Sequence, residues 1–122
     1  MRTKDELFRE AQRHVAGRRQ RAVTEAQRQR AAALAAHPEL AAAEQARTQA
    51  GLALAMAAAR GGDTGAARAR LEAAGQAVDA ALTAAGYAPD GLAPRYRCPL
   101  CQDTGLYRGA PCRCVAEVAR KL

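Results

Sequence analysis

Cys98-Pro99-Leu100-Cys101, a gap of ten residues, then Cys112-Arg113-Cys114: these two runs hold all four cysteines of a 122-residue chain. A two-residue spacer lets two thiolates reach one ion at about 2.3 Å, and two such pairs form the ligand set of a tetrahedral four-cysteine zinc site. Pro99 stiffens the first turn, and Gly105 permits the backbone to leave it with positive φ. Two short strands are predicted around Arg108-Gly109, over Thr104–Tyr107 and Ala110–Arg113. Cys112 and Cys114 are closer together than the usual pair. On a regular strand they would share a face, so a local bend must aim both sulfurs at the metal. With Cys98, Cys101, Cys112 and Cys114 all engaged, no position stays open for water or substrate, and one structural Zn2+ per chain is expected. Such an ion would also stabilise a segment too small to fold on its own core. Two disulfides, a redox dithiol at Cys98 and Cys101, or an iron–sulfur cluster are the other chemistries open to these cysteines.

Outward from this segment the composition changes. Hydrophobic residues make up 49% of the chain and aromatics 3%, with no Trp, and most of the apolar residues are Ala. Each buried Ala contributes roughly 0.5–1 kcal/mol where Leu or Phe would contribute ~1.5–3, so the core must be thin. Ala, Arg, Glu, Gln and Leu dominate the first 85 residues, which favours long helices. The first helix is predicted over 3–36, opened by Thr3 and Glu6 as a capping box, with Leu7, Ala11, Val15, Ala22 and Ala26 along one stripe. His37-Pro38 interrupts, and a second helix follows to about Arg60, with Leu40, Ala43, Ala50, Leu54 and Ala57 as its seam. Gly61-Gly62-Asp63-Thr64-Gly65 is a turn. A third helix over 66–85 carries Ala67, Leu71, Ala74, Val78, Leu82 and Ala85 at coiled-coil spacing, suited to antiparallel packing on the second. Gly86 ends it, and Tyr87–Pro94 reads as a linker with two prolines.

The expected fold is thus mainly α: an elongated antiparallel helical hairpin or three-helix arrangement, then a small zinc-ribbon-like β-hairpin, then the start of a C-terminal helix from Val115. The domain boundaries read as a helical domain over 1–86, a linker over 87–94 and a metal module over 95–122. The last helix meets no stop signal before Leu122, the pattern of a chain related to something longer.

Charge and absences narrow the function. The net charge is +7. Residues 1–36 hold nine Arg and Lys against four Asp and Glu; residues 95–122 hold six against two. Basic ends of this kind can meet nucleic acid or an acidic protein surface, or can simply be solvated helix faces. Arg95, Arg97, Arg108 and Arg113 are candidate DNA contacts, with Tyr96 and Tyr107 available for stacking on bases. The pattern G-x-x-x-x-G-K-[ST] is absent, and no Ser/His/Asp or Cys/His set is assembled, since His14 and His37 lie far from the cysteines in sequence. Asp103 reads as a turn-stabilising residue and not as a catalytic one. No enzyme activity and no small-molecule substrate are expected. Arg, Glu or Gln breaks every Ala-rich stretch, so no membrane span is predicted. The first residues lack a secretory apolar segment and the cysteines cluster with metal spacing, so a reducing cytoplasm is expected.

Tyr96-Arg97-Cys98-Pro99-Leu100-Cys101-Gln102-Asp103-Thr104-Gly105, followed by Gly109 and Cys112-Arg113-Cys114, resembles the Y-x-C-P-x-C-x-D-T-G…G-x-x-C-x-C signature of bacterial helicase loaders of the DnaI/DnaC-like type. Gly86-Tyr87-Ala88-Pro89-Asp90, Pro94-Arg95-Tyr96 and the Pro38-Glu39-Leu40 step also look like that family. Only residues 86–114 carry specific similarity; the helices match in pattern alone. The resemblance implies an N-terminal domain that docks on the hexameric DnaB-type replicative helicase in DNA replication, with Cys98, Cys101, Cys112 and Cys114 as zinc ligands. In that family a nucleotide-binding AAA+ module follows. It has no counterpart in these 122 residues, so the implied role here is helicase binding and not ATP hydrolysis.

Overall fold

The computed structural model describes residues 2–122 and is mainly helical. The chain runs α1 (Lys4–Ala36), α2 (Pro38–Ala59), α3 (Gly65–Ala84), β1 (Leu106–Tyr107), β2 (Ala110–Pro111) and α4 (Arg113–Lys121).

The helix ends follow local chemistry. The Thr3 hydroxyl accepts the Glu6 amide at 3.1 Å while the Glu6 carboxylate accepts the Thr3 amide at 3.3 Å, completing the capping box at the start of α1. At its end, Pro38 has no N–H to continue the ladder. His37 leaves helical geometry (φ −130°, ψ 87°) and Pro38 takes the first position of α2. In the next turn the Asp63 carboxylate accepts the Gly65 amide at 2.9 Å. α3 closes on Gly86 at φ 90°. The amide of Gly86 bonds the Thr83 carbonyl and that of Tyr87 bonds the Leu82 carbonyl, which is a Schellman motif.

The chain divides into two compact units. One spans Gln29–Leu92. Within it α2 and α3 pack as a helical hairpin. Ala33, Leu40, Val78 and Leu82 form its buried core, with Leu34, Ala43, Ala81, Tyr87 and Leu92 packed against them. Glu44, almost fully buried, is held by Arg30 in an ion pair. The predicted seams of α2 and α3 are all buried or half-buried.

The second unit joins the N-terminal residues through Arg28 to Ala93–Leu122. This redraws the boundaries expected at residues 86 and 94. Ala11 and Val15, fully buried, pack with the four cysteines and Val115, and Phe8, Val118 and Ala119 close around them. The cysteine segment has too little apolar surface to be a module alone, so the first turns of α1 serve as its core. The expected linker is also partly absorbed, because Tyr87 and Leu92 pack on the helical hairpin.

Leu40 is fully buried whereas Leu52 is 62% exposed. Leu40→Ala should therefore lower the unfolding free energy by about 2–4 kcal/mol. Leu52→Ala should change it by no more than about 0.5 kcal/mol. Urea denaturation followed by helical circular dichroism measures both.

Candidate metal centre

Cys98, Cys101, Cys112 and Cys114 converge. Their four sulfurs lie within 4.8 Å of one another and all four residues are buried. None is in a disulfide. The closest pairs are Cys98 with Cys112 at 3.7 Å and Cys101 with Cys114 at 3.5 Å. A tetrahedral ion with metal–sulfur bonds of about 2.3 Å sets its sulfurs about 3.8 Å apart, whereas a disulfide needs about 2.05 Å. The donor set and its spacing therefore fit a metal ion.

The first pair is held by the turn after it. The Gln102 amide bonds the Cys98 carbonyl at 2.9 Å. Gln102 and Asp103 then take positive φ (53° and 60°), and Gly105 follows at 81°. A side chain on Gly105 would meet Val115 at 3.6 Å and Val15 at 3.9 Å, on a backbone few side chains tolerate. The Gly105 amide hydrogen-bonds the Cys101 sulfur, and its carbonyl accepts the Cys112 amide at 2.9 Å. One glycine thus ties the two cysteine pairs together.

The second pair solves the C-x-C problem by a change of secondary structure. The strands are shorter than predicted, Leu106–Tyr107 and Ala110–Pro111, joined by Arg108 and Gly109, both at positive φ. The Thr104 hydroxyl takes the Leu106 amide at 3.2 Å, and this local turn keeps Thr104 out of the strand. Cys112 is not in a strand but is the N-cap of α4 (φ −70°, ψ 149°), and Cys114 stands in the first helical turn. Extended and helical backbone on either side of Arg113 bring both sulfurs to one point.

Asp103 holds the centre in a way the sequence did not suggest. Its carboxylate is buried and accepts the backbone amides of Arg97 at 2.9 Å and Cys98 at 3.0 Å. Arg18 of α1 lies 3.5 Å from the same carboxylate. This is a brace across the turn and onto another element, not a contact confined to its own turn. The Asp-Thr-Gly run following the knuckle was its only sequence signal.

The histidines are not ligands. His14 lines a depression beside Cys98 and Cys114 but stands outside the sulfur cluster. His37 meets Tyr87 edge-on at 6.0 Å. The tyrosines flagged for stacking each carry a guanidinium: Arg19 lies 4.8 Å above Tyr96, and Arg108 lies 5.3 Å above Tyr107. Among the described residues no helix is long and apolar enough to cross a membrane.

The thiols are not equivalent. Burial opposes ionisation of Cys101, yet hydrogen bonds from the Gly105 amide and the neighbouring thiols outweigh it and draw it down to about 7. Burial pushes the Cys114 thiol up, and the adjacent sulfurs add to the effect. A metal must therefore displace protons to bind.

No family model, no curated protein and no solved structure matches this chain.

Two outcomes are expected of this geometry. Asp103→Ala leaves the Arg97 and Cys98 amides without their acceptor and should weaken metal affinity by about 10–100-fold in a competitive chelator titration. Affinity should also rise with pH. Cys112 and Cys114, both held above the ordinary thiol value, each give up a proton on binding throughout the neutral range, and below about 7 Cys101 must give one up as well. Chelator titrations from roughly pH 6 to 8 should show at least about a hundredfold gain per pH unit, steeper on the acid side.

Proposed function

We propose that this chain is a protein-docking module braced by one structural zinc ion, of the kind that binds the DnaB-type replicative helicase in DnaI/DnaC-like loaders. The observation that carries the proposal is the closed donor set: four buried cysteines converge on one point. A tetrahedral ion held by all of them has no free position for substrate, so its role is to hold the fold. Zinc suits four thiolates in a reducing cytoplasm, where disulfides do not persist.

The helicase as partner rests on the likeness of residues 86–114 to the loader signature. Surface chemistry supports a docking role. Leu52 and Met56 are 62% and 51% exposed, and at i and i+4 they share one side of α2. An apolar strip on a helix is what a partner helix packs against. The proposal assigns no catalytic step to this chain.

The test is capture of a purified DnaB-type helicase by the metal-loaded chain. Metal analysis should give one zinc per chain. Leu52→Glu with Met56→Glu should weaken capture by about tenfold or more at unchanged helical content. Cys101→Ser should abolish metal binding and capture together. A zinc-loaded, folded chain that captures no helicase would overturn the reading.

A further inference from the structure

The unit that contains the sulfur cluster also gathers arginines. Two cavities, of about 540 and 440 Å3, share Arg18, Arg21 and Arg97 in their linings. The larger adds Arg113 and the smaller adds Arg95. Two acids oppose these five guanidiniums. Glu117 lines the larger cavity, and Asp103 lines the smaller with its carboxylate already bonded to two backbone amides. Among the described residues no ion pair engages Arg21, Arg95, Arg97 or Arg113. A divalent ion on four thiolates would carry a charge of −2, which five arginines exceed.

Arg18 adds a second observation. Its Nε is buried without a hydrogen-bond partner, and its guanidinium makes one long contact, 3.5 Å to Asp103. A buried donor left unpaired is costly, and such a group in a folded protein calls for a partner. An oxyanion seated among these arginines would supply acceptors.

We infer that this arginine-lined cleft binds the phosphodiester backbone of nucleic acid, a role beyond helicase docking and independent of it. Guanidinium forks match phosphate oxygens in pairs. Two cavities with a shared arginine wall suit a ligand whose charges recur at every nucleotide. Acidic side chains of a peptide would each have to be ordered separately on flexible stems, which costs entropy. Binding should not discriminate among bases, since Tyr96 already carries Arg19 on its ring. The site differs from the sequence-based contacts in two ways: Arg18 and Arg21 of α1 join it, and Arg108 falls outside it, over Tyr107 on the β-hairpin.

Fluorescence anisotropy with the metal-loaded full chain and labelled oligothymidine tests this. Affinity should fall with salt at a log–log slope between about −1.5 and −3, the range for two to four phosphates on a single strand. Arg21→Gln, Arg97→Gln and Arg113→Gln combined should weaken binding by about tenfold or more at about 50 mM salt, with metal content and helicity unchanged. The control removes the same charge elsewhere: Arg60→Gln, Arg68→Gln and Arg70→Gln combined should leave at least about half the affinity, as should Arg108→Gln alone. Equal loss in the cleft and control variants, tighter binding of a polyglutamate peptide than of oligothymidine, or no binding at about 50 mM salt would each overturn the inference. None of these results depends on whether a helicase is captured.

Discussion

The carboxylate of Asp103 accepts the amides of Arg97 and Cys98 and meets the guanidinium of Arg18, and the cysteine-bearing unit is organised around these contacts. The two amides precede and include the first cysteine, so the carboxylate sets where the first thiol pair begins. Arg18 belongs to α1, so the same group ties the turn to the helix that packs on it. Two residues at positive φ are the conformational cost of bringing this carboxylate inward. Gly105, at a positive φ that side chains rarely tolerate, completes the arrangement and carries the chain to the second cysteine pair.

Apolar economy explains why α1 is shared. A segment of about thirty residues with four cysteines and few aliphatic side chains cannot bury enough surface to fold alone. Ala11 and Val15 provide what it lacks, and small side chains let the helix approach the sulfurs closely. Further along the same helix Ala33 and Leu34 join the core of Leu40, Val78 and Leu82. One long helix thus contributes to two hydrophobic clusters in a chain whose apolar residues are mostly alanine.

The chemistry of the metal centre and that of its surface point to different tasks. Four converging, buried thiols are a donor set that could hold an ion without exposing it, which supports a role in architecture. The arginines around them have few acids to pair with, which supports a role toward a polyanion. Exposed Leu52 and Met56 belong to the other unit, and they support a protein contact. The arginine site meets the metal centre at Arg18 and Asp103, whereas Leu52 and Met56 share no side chain with either.

Much of the fold was legible because it depends on neighbours in sequence. The capping box at Thr3 and Glu6, the break at Pro38, the turn at Gly61 to Gly65, the stop at Gly86 and the seams of α2 and α3 all follow from local backbone chemistry and periodicity. The four candidate ligands were legible for the same reason, since thiol spacing is a local property. Tertiary structure alone decided that the first turns of α1 belong with the cysteines, that Cys112 caps a helix with Cys114 inside it, that Asp103 reaches back to Arg97 and Cys98, and that Arg18 and Arg21 stand beside Arg95, Arg97 and Arg113. Most of these depend on which surfaces find each other across a long stretch of chain. A stripe of alanine and valine records that a helix will be buried, but not against what.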